Sequence, residues 1–299
     1  MDFGSYQKRA LLTDQVPGNA DDSIVVPLLG LAGEVGELLS EYKKRLRDGN
    51  AHQHFKERAA EELGDLLWYL SNAASKFGLD LEEIARKNLE KCASRWGKLS
   101  PRSIGYVFDA EFPDHERLPR RFEVHLSETE NKVRAFVEGQ QIGDYLTDNA
   151  WASDGYRFHD IFHLAYTSVL GWSPVIRKHL GCKRKSNPRV DEVEDGARAI
   201  VTEEGISAIV FAYAKNHNFL NGVPAIDYHL LRTIKGITSG LEVRQCTLGD
   251  WEKAIFAGYE IWRRLVGNAG GKILVDLDQR SLSLLHLERS KARGFEKLG

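Results

Sequence analysis

The strongest constraint on this chain is a set of two carboxylate couples at helical spacing, Glu34 with Glu37 and then Glu62 with Asp65, each set in an apolar run. Residues three apart share one face of an α-helix, so each couple projects two carboxylates side by side. The flanks, Leu28-Leu29-Gly30-Leu31-Ala32-Gly33 and Leu66-Leu67-Trp68-Tyr69-Leu70, are apolar and small, as in helices packed into a core. A solvated helix face would place Lys or Arg three or four positions from each acid. Glu34 has Gly30, Leu31, Glu37 and Leu38 there, and Glu37 has Gly33, Glu34, Ser40 and Glu41. Asp65 has Glu61, Glu62, Trp68 and Tyr69; only Glu62 has a basic neighbour at that spacing, Arg58. Like charges gathered in half-buried surroundings call for a cation, and hard oxygen donors select Mg²⁺ or Mn²⁺. The bland alternative is solvent-facing decoration, which two uncompensated couples on adjacent apolar helices disfavour.

The local signals around these couples describe four helices with short connections. Residues 5–15 read as a first helix, stopped by Val16-Pro17-Gly18-Asn19. Asp21-Asp22-Ser23 can cap a second helix running to about Arg47, and a third spans about Phe55 to Phe77 with Gly78 as its stop. Asp80 can cap a fourth, through Trp96. Bundles of this kind gather helix-borne carboxylates on metals. Glycines 30, 33, 36 and 64 cost such helices about 1 kcal/mol each relative to alanine, which points either to close helix approach or to room for a ligand.

The ExxE and ExxD couples, together with Leu28 to Leu39, Lys43-Lys44-Arg45-Leu46-Arg47-Asp48-Gly49, Glu61 to Leu70, Asn88-Leu89-Glu90-Lys91 through Arg95, and Tyr6-Gln7-Lys8-Arg9-Ala10, resemble the MazG-like all-α nucleoside triphosphate pyrophosphohydrolases. The resemblance covers the first third of the chain. It implies hydrolysis of ribo- or deoxynucleoside triphosphates to monophosphate and pyrophosphate, with Glu34, Glu37, Glu62 and Asp65 holding one or two Mg²⁺ ions. Glu61 or Glu41, raised in pKa by the surrounding negative charge, would accept the proton of the attacking water. Lys43, Lys44, Arg47, Lys91 and Arg95 are phosphate contacts by the same resemblance, and Trp68, one turn past Asp65, is a candidate base contact; read blandly, they are the solvated faces and core aromatics of amphipathic helices. Homodimers or homotetramers are implied as well.

At 299 residues the chain can hold two domains. Its 42% hydrophobic and 28% charged residues and formal net charge of −2 describe a globular protein with no global field favouring nucleic acid or membrane. No apolar run approaches the length of a membrane span, and the start lacks a signal-like pattern. Cys92, Cys182 and Cys246 are scattered, which fits a reducing cytoplasm rather than a disulfide framework or zinc cluster.

The expected organisation is mainly α: a four-helix bundle over 1–99, a linker over 100–120, and an α+β domain over 121–299. In the last, Phe122, Val124 and Leu126 alternate with polar residues, as do Val133, Ala135 and Val137 after Glu130-Asn131, which predicts a β-hairpin. Helices are expected at about 154–170, 191–217, 227–240 and 248–266, and a strand over 272–277 that pairs with the hairpin.

Two features there carry chemistry. His159 and His163 lie four apart on one helix face, beside Asp160, and Glu203-Glu204 or Glu194 on the next long helix can complete a second metal or catalytic site. The bland reading is a pair of buried histidines bonded to neighbouring backbone or acids. The basic loop Lys183 to Arg189 reads as solvated and balanced by the acids at 191, 192, 194 and 195, with no aromatic platform for nucleic acid. Three functions follow: a Mg²⁺-dependent nucleoside triphosphate pyrophosphohydrolase, a nucleotide sensor in nucleotide homeostasis or phage defence with the second domain as output, or a bifunctional enzyme using the histidine helix.

Overall fold

The computed structural model describes residues 1–18, 21–96 and 106–289, the side chains of 21, 22 and 94–96 excepted. Two compact units divide the chain between Ala93 and Ser94.

The first unit is helical, with α1 (Phe3–Leu11), α2 (Asp21–Asp48), α3 (Phe55–Lys76) and α4 (Leu81–Trp96). Capping follows the sequence at several ends. Asp2 accepts from Ser5 N at 2.6 Å, Asp80 accepts from Glu83 N at 2.8 Å, and Gly78 stops α3 at φ +67°. The Asp21-Asp22-Ser23 cap differs: α2 already begins at Asp21, and Ser23 Oγ donates to Gly18 O at 2.8 Å. Helices α2 and α3 fold back on one another. A Cβ on Gly30 would lie 2.2 Å from Tyr69 Cε1, so glycine is required for this approach. Gln7 clamps α1 in place, donating to Ser75 Oγ and Leu79 O while accepting from Leu81 N at 2.8 Å. The buried Lys76 ammonium reaches Asp14 at 2.8 Å.

Much of the apolar face of α2 is exposed among the described residues: Leu29 is 66% exposed, Leu39 62% and Leu46 70%. The expectation of no span-length apolar run needs correcting, because Ser23–Ala51 holds an 18-residue window apolar enough by length and composition to cross a membrane. The same helix carries Glu34 and Glu37, and acids at membrane depth are costly.

In the second unit an antiparallel sheet of order β3-β2-β1-β4-β5 is built from β1 (Arg121–Thr129), β2 (Lys132–Val137), β3 (Gln140–Leu146), β4 (Gly270–Asp276) and β5 (Ser281–Glu288). The hairpin turn at Glu130-Asn131 has positive φ at both residues, the geometry that matches strand twist. As expected, β4 pairs with the hairpin, Val124 facing Ile273 and Phe122 facing Val275. Strands β3 and β5 were not anticipated. Val124, Leu126, Val133, Ala135, Ile273 and Val275 bury one face of the sheet in a common core with α5 (Asp160–Leu170) and α10 (Leu248–Leu265). Every residue of α5 is buried. Gly258 of α10 faces Phe162 and Ala165 of α5 at Cβ distances of 3.1 and 3.3 Å, where a larger residue would crowd the crossing. Helices α6 (Pro174–His179), α7 (Pro188–Val193), α8 (Ala197–Lys215) and α9 (Tyr228–Ile237) complete the unit.

Residues 106–120, expected as linker, belong to this unit. Asp109 is buried and accepts from Arg177 Nη2 at 2.6 Å and Leu118 N at 2.8 Å. Glu116 accepts from Ser186 N at 2.9 Å. The basic loop is likewise not simply solvated. Arg184 is 1% exposed and is held by Asp195 and Glu242, each at 2.7 Å, with Phe108 O accepting from it as well. Lys183 pairs with Asp191 and Arg189 with Glu192, so three of its four cationic side chains are engaged internally.

Candidate active site

Folding α2 against α3 brings three of the four signature acids together. Oxygens of Glu34, Glu62 and Asp65 lie within 4.8 Å of one another, with Glu34 and Glu62 half-buried and Asp65 exposed. Glu37 falls outside this tight set but lies close enough for its charge to act on Glu62. Partial burial, Glu34, Glu37 and Glu61 together raise the Glu62 carboxyl above its ordinary value. Among the described residues none of Glu34, Glu37, Glu61, Glu62 or Asp65 pairs with Lys or Arg. Three convergent hard oxygens with no internal cation fit a divalent ion of the Mg²⁺ class. The glycines divide by role. Gly30 serves close packing, whereas Cβ atoms on Gly33, Gly36 and Gly64 would meet nothing within 4 Å.

The other expected participants are more dispersed. Glu61 is exposed and near enough to act on Glu62. Glu41 departs from its expected role. It is buried and ion-paired to Lys44, accepts from His52 Nε2 at 2.9 Å, and has Arg58 at 3.9 Å. The Lys44 hydrogen bond, opposed by burial and reinforced by His52, lowers its pKa, the reverse of the raised value a poised base would need. Lys44 is therefore engaged too, and Arg47 forms a two-point pair with Asp48 at 2.6 and 2.7 Å. Lys43 and Lys91 are exposed. The Arg95 side chain lies outside the described residues. Trp68 is half-buried, donates to Thr13 Oγ1 at 2.7 Å and makes a T-shaped contact with Tyr69, so it ties α3 to the segment after α1.

In the second unit the structure joins His159, Asp160 and His163, whose ligating atoms also lie within 4.8 Å of one another. Glu204 Oε2 is 3.4 Å from His163 Nε2 and 3.9 Å from His159 Nε2. Glu203, fully buried, accepts from His163 Nδ1 at 2.8 Å, Ser173 Oγ at 2.7 Å and Val175 N at 2.9 Å. Glu194 is elsewhere, accepting from Glu242 N at 3.0 Å. Burial holds the His159 imidazole below its ordinary pKa. At His163 burial pulls the same way, but Glu203 and Glu204 outweigh it.

Two neighbours escaped the sequence reading. The Tyr156 ring stacks on His159 at 4.4 Å, and burial pushes its hydroxyl up to about 12. His179, on α6, is close enough for the charges of Asp160 and His163 to act on it. Tyr156 lies three residues before His159 and was accessible to a spacing argument; His179 arrives only through tertiary folding.

Residues 26–99 match the MazG nucleotide pyrophosphohydrolase domain, and residues 103–288 match the MazG C-terminal domain. The chain is also similar to the Gene 37 protein of Mycobacterium phage L5, 35% identical over 96 residues, spanning 30% of this chain and 84% of the phage protein. No solved structure matches significantly. With one model covering more than half of the chain and the acid couples falling inside the other, this chain belongs to the MazG nucleotide pyrophosphohydrolase family.

Proposed function

We propose that this protein hydrolyses ribo- or deoxynucleoside triphosphates between the α and β phosphates, releasing monophosphate and pyrophosphate, with Mg²⁺ or Mn²⁺ as cofactor. The observation that carries this reading is the meeting of Glu34, Glu62 and Asp65 across α2 and α3 with, among the described residues, no Lys or Arg paired to them. These three, with Glu37 beside them, would hold the metal, which supplies charge neutralisation at the phosphates and a lowered pKa for a bound water. Glu61, the exposed carboxylate next to Glu62, accepts the proton of the attacking water. Lys43 and Lys91 steady the negative charge of the departing pyrophosphate. Gly33, Gly36 and Gly64 leave the surface beside the acids free of side chains, which suits the approach of a triphosphate.

The uncovered apolar positions Leu29, Leu39 and Leu46 favour packing of α2 on a second copy of the chain, in a homodimer or homotetramer. Such packing satisfies the apolar helix without a membrane, consistent with a cytoplasmic enzyme.

The test is chromatography of products after incubating the purified chain, and a Glu34→Gln/Glu62→Gln variant, with a panel of NTPs and dNTPs in Mg²⁺. Monophosphate and pyrophosphate from the wild type alone are expected, and the panel identifies the preferred base. Diphosphate and orthophosphate would overturn the α–β cleavage.

A further inference from the structure

We propose that the second unit holds a divalent first-row transition metal of the Zn²⁺ class, bound by His159 Nε2, His163 Nε2 and the carboxylates of Asp160 and Glu204. This site is separate from the carboxylate cluster of the first unit and rests on different observations.

The first observation is the hydrogen bonding of the two rings. His159 Nδ1 lies 2.9 Å from Tyr156 O, and His163 Nδ1 lies 2.8 Å from Glu203 Oε1. Both partners are acceptors, so each Nδ1 carries the proton. In a neutral ring that leaves Nε2 with a free lone pair. One ring nitrogen of each histidine and an Asp160 oxygen lie within 4.8 Å of one another, and both Nε2 atoms face Glu204 Oε2, at 3.9 Å from His159 and 3.4 Å from His163. A metal-binding imidazole is held in this way, its outer nitrogen donating to a carboxylate or carbonyl that fixes ring orientation and raises basicity.

The second observation is an orphan. His163 is fully buried, yet its Nε2 has no hydrogen-bond partner of acceptable geometry; Glu204 Oε2, at 3.4 Å, is near without being aligned. A buried polar atom without an aligned partner is costly, and an ion between His163, His159 and Glu204 removes that cost.

The surroundings are rigid where support is needed and open where exchange is needed. Glu203 is fixed by Ser173 Oγ and by Val175 N in the first turn of α6, so the carboxylate that orients His163 is itself held. Asp160 and both histidines are buried on or beside α5, while the Glu204 side chain is 42% exposed and gives the ion a route to solvent. The donor set decides the class. Imidazole with carboxylate suits Zn²⁺, Mn²⁺, Fe²⁺ and Co²⁺, whereas Mg²⁺ and Ca²⁺ take oxygen donors. The alternative arrangement is an imidazolium of His163 caught between Glu203 and Glu204 with no metal.

The experiment strips the full-length protein with a chelator and titrates it with Co²⁺, in excess Mg²⁺ to occupy the carboxylate cluster, reading visible d–d absorption; calorimetry with Zn²⁺ repeats the measurement. One saturable equivalent with d–d bands is expected. His159→Gln should abolish the bands, and Glu204→Gln, at a half-exposed position that leaves the core intact, should weaken binding by at least about tenfold. Glu34→Gln/Glu62→Gln should bind Co²⁺ as the wild type does. No saturable Co²⁺ binding by the folded wild type, binding that survives both His159→Gln and Glu204→Gln, or binding lost with the Glu34/Glu62 variant would each overturn the proposal.

Discussion

The acids of the first unit and those of the second sit in opposite surroundings. Glu34, Glu62 and Asp65 meet on two helices that leave open space beside them, and among the described residues no Lys or Arg pairs with them. Glu203 is fully buried and each of its oxygens is used, by His163, Ser173 and Val175 N. The first arrangement holds like charges together at a cost to the fold and is suited to a ligand that brings positive charge. The second is part of the packing of the unit. Removing an acid should therefore have opposite consequences for stability in the two places.

The largest expected effect is at Glu203. Glu203→Ala leaves His163 Nδ1, Ser173 Oγ and Val175 N without their acceptor in a fully buried setting, and a loss of about 3–5 kcal/mol is expected in urea unfolding, read from the transition of the second unit. A change below about 1 kcal/mol would show that water replaces the carboxylate, and the contrast between the units would weaken. At the other cluster Glu34→Gln should raise the melting temperature of the metal-free protein slightly, since it removes like-charge repulsion. Its penalty falls on turnover instead. A direct ligand should matter at least as much as an outer-shell partner, so nucleotide hydrolysis should drop on the order of a hundredfold or more. An inactive but unfolded Glu34→Gln protein would mean that this acid, too, is structural.

A smaller effect tests the uncovered helix face. Leu39 is 62% exposed, so Leu39→Asp should leave the fold of the first unit in place while shifting the assembly towards monomer in light scattering. An unchanged mass would remove α2 as the interface. The second unit buries its helix α5 completely within one chain, whereas α2 keeps apolar residues exposed.

What could be read in the sequence follows this division. Helical spacing made the acid couples legible, and Glu34, Glu62 and Asp65 do converge; that Glu37 stands outside the tight set depends on how α2 is rotated against α3, which spacing does not encode. The pairing of Glu41 with Lys44, three residues away, was available in the sequence itself. The other partners of Glu41, His52 and Arg58, come from beyond the end of α2 and were not. In the second unit the hairpin and β4 carried clear alternation. Strand β3 did not, because only Ile142 among its residues is buried, and in β5 the alternation of Leu282 and Leu284 is broken before Leu287 by the register shift opposite Lys272 and Ile273. Residues 106–120 looked like linker because their order rests on long-range partners: Asp109 meets Arg177 and Glu116 meets Ser186, some seventy residues later.

The smallest predicted effect separates the units by the sign of their response to pH. Glu62 has its folded pKa raised by burial, Glu34, Glu37 and Glu61. Its contribution to stability is therefore fully present below the unfolded carboxyl value near 4.5 and is lost as pH rises through the folded value. Asp148, in the second unit, is pushed up by burial but held below its ordinary value by Ser153 and Arg157, the latter donating at 2.9 Å. Its contribution is present above the unfolded value near 3.8 and is lost as pH falls through the folded one. In metal-free protein Glu62→Gln should thus flatten the decline of the first unit's melting temperature as pH rises from about 4 towards neutrality, and Asp148→Asn should flatten the acid limb of the second. Added Mg²⁺ should mimic Glu62→Gln by neutralising the cluster and leave the Asp148 limb unchanged. If Mg²⁺ alters neither limb, the acids of the first unit are not gathering a cation, and their uncompensated charge must be answered by a partner molecule instead.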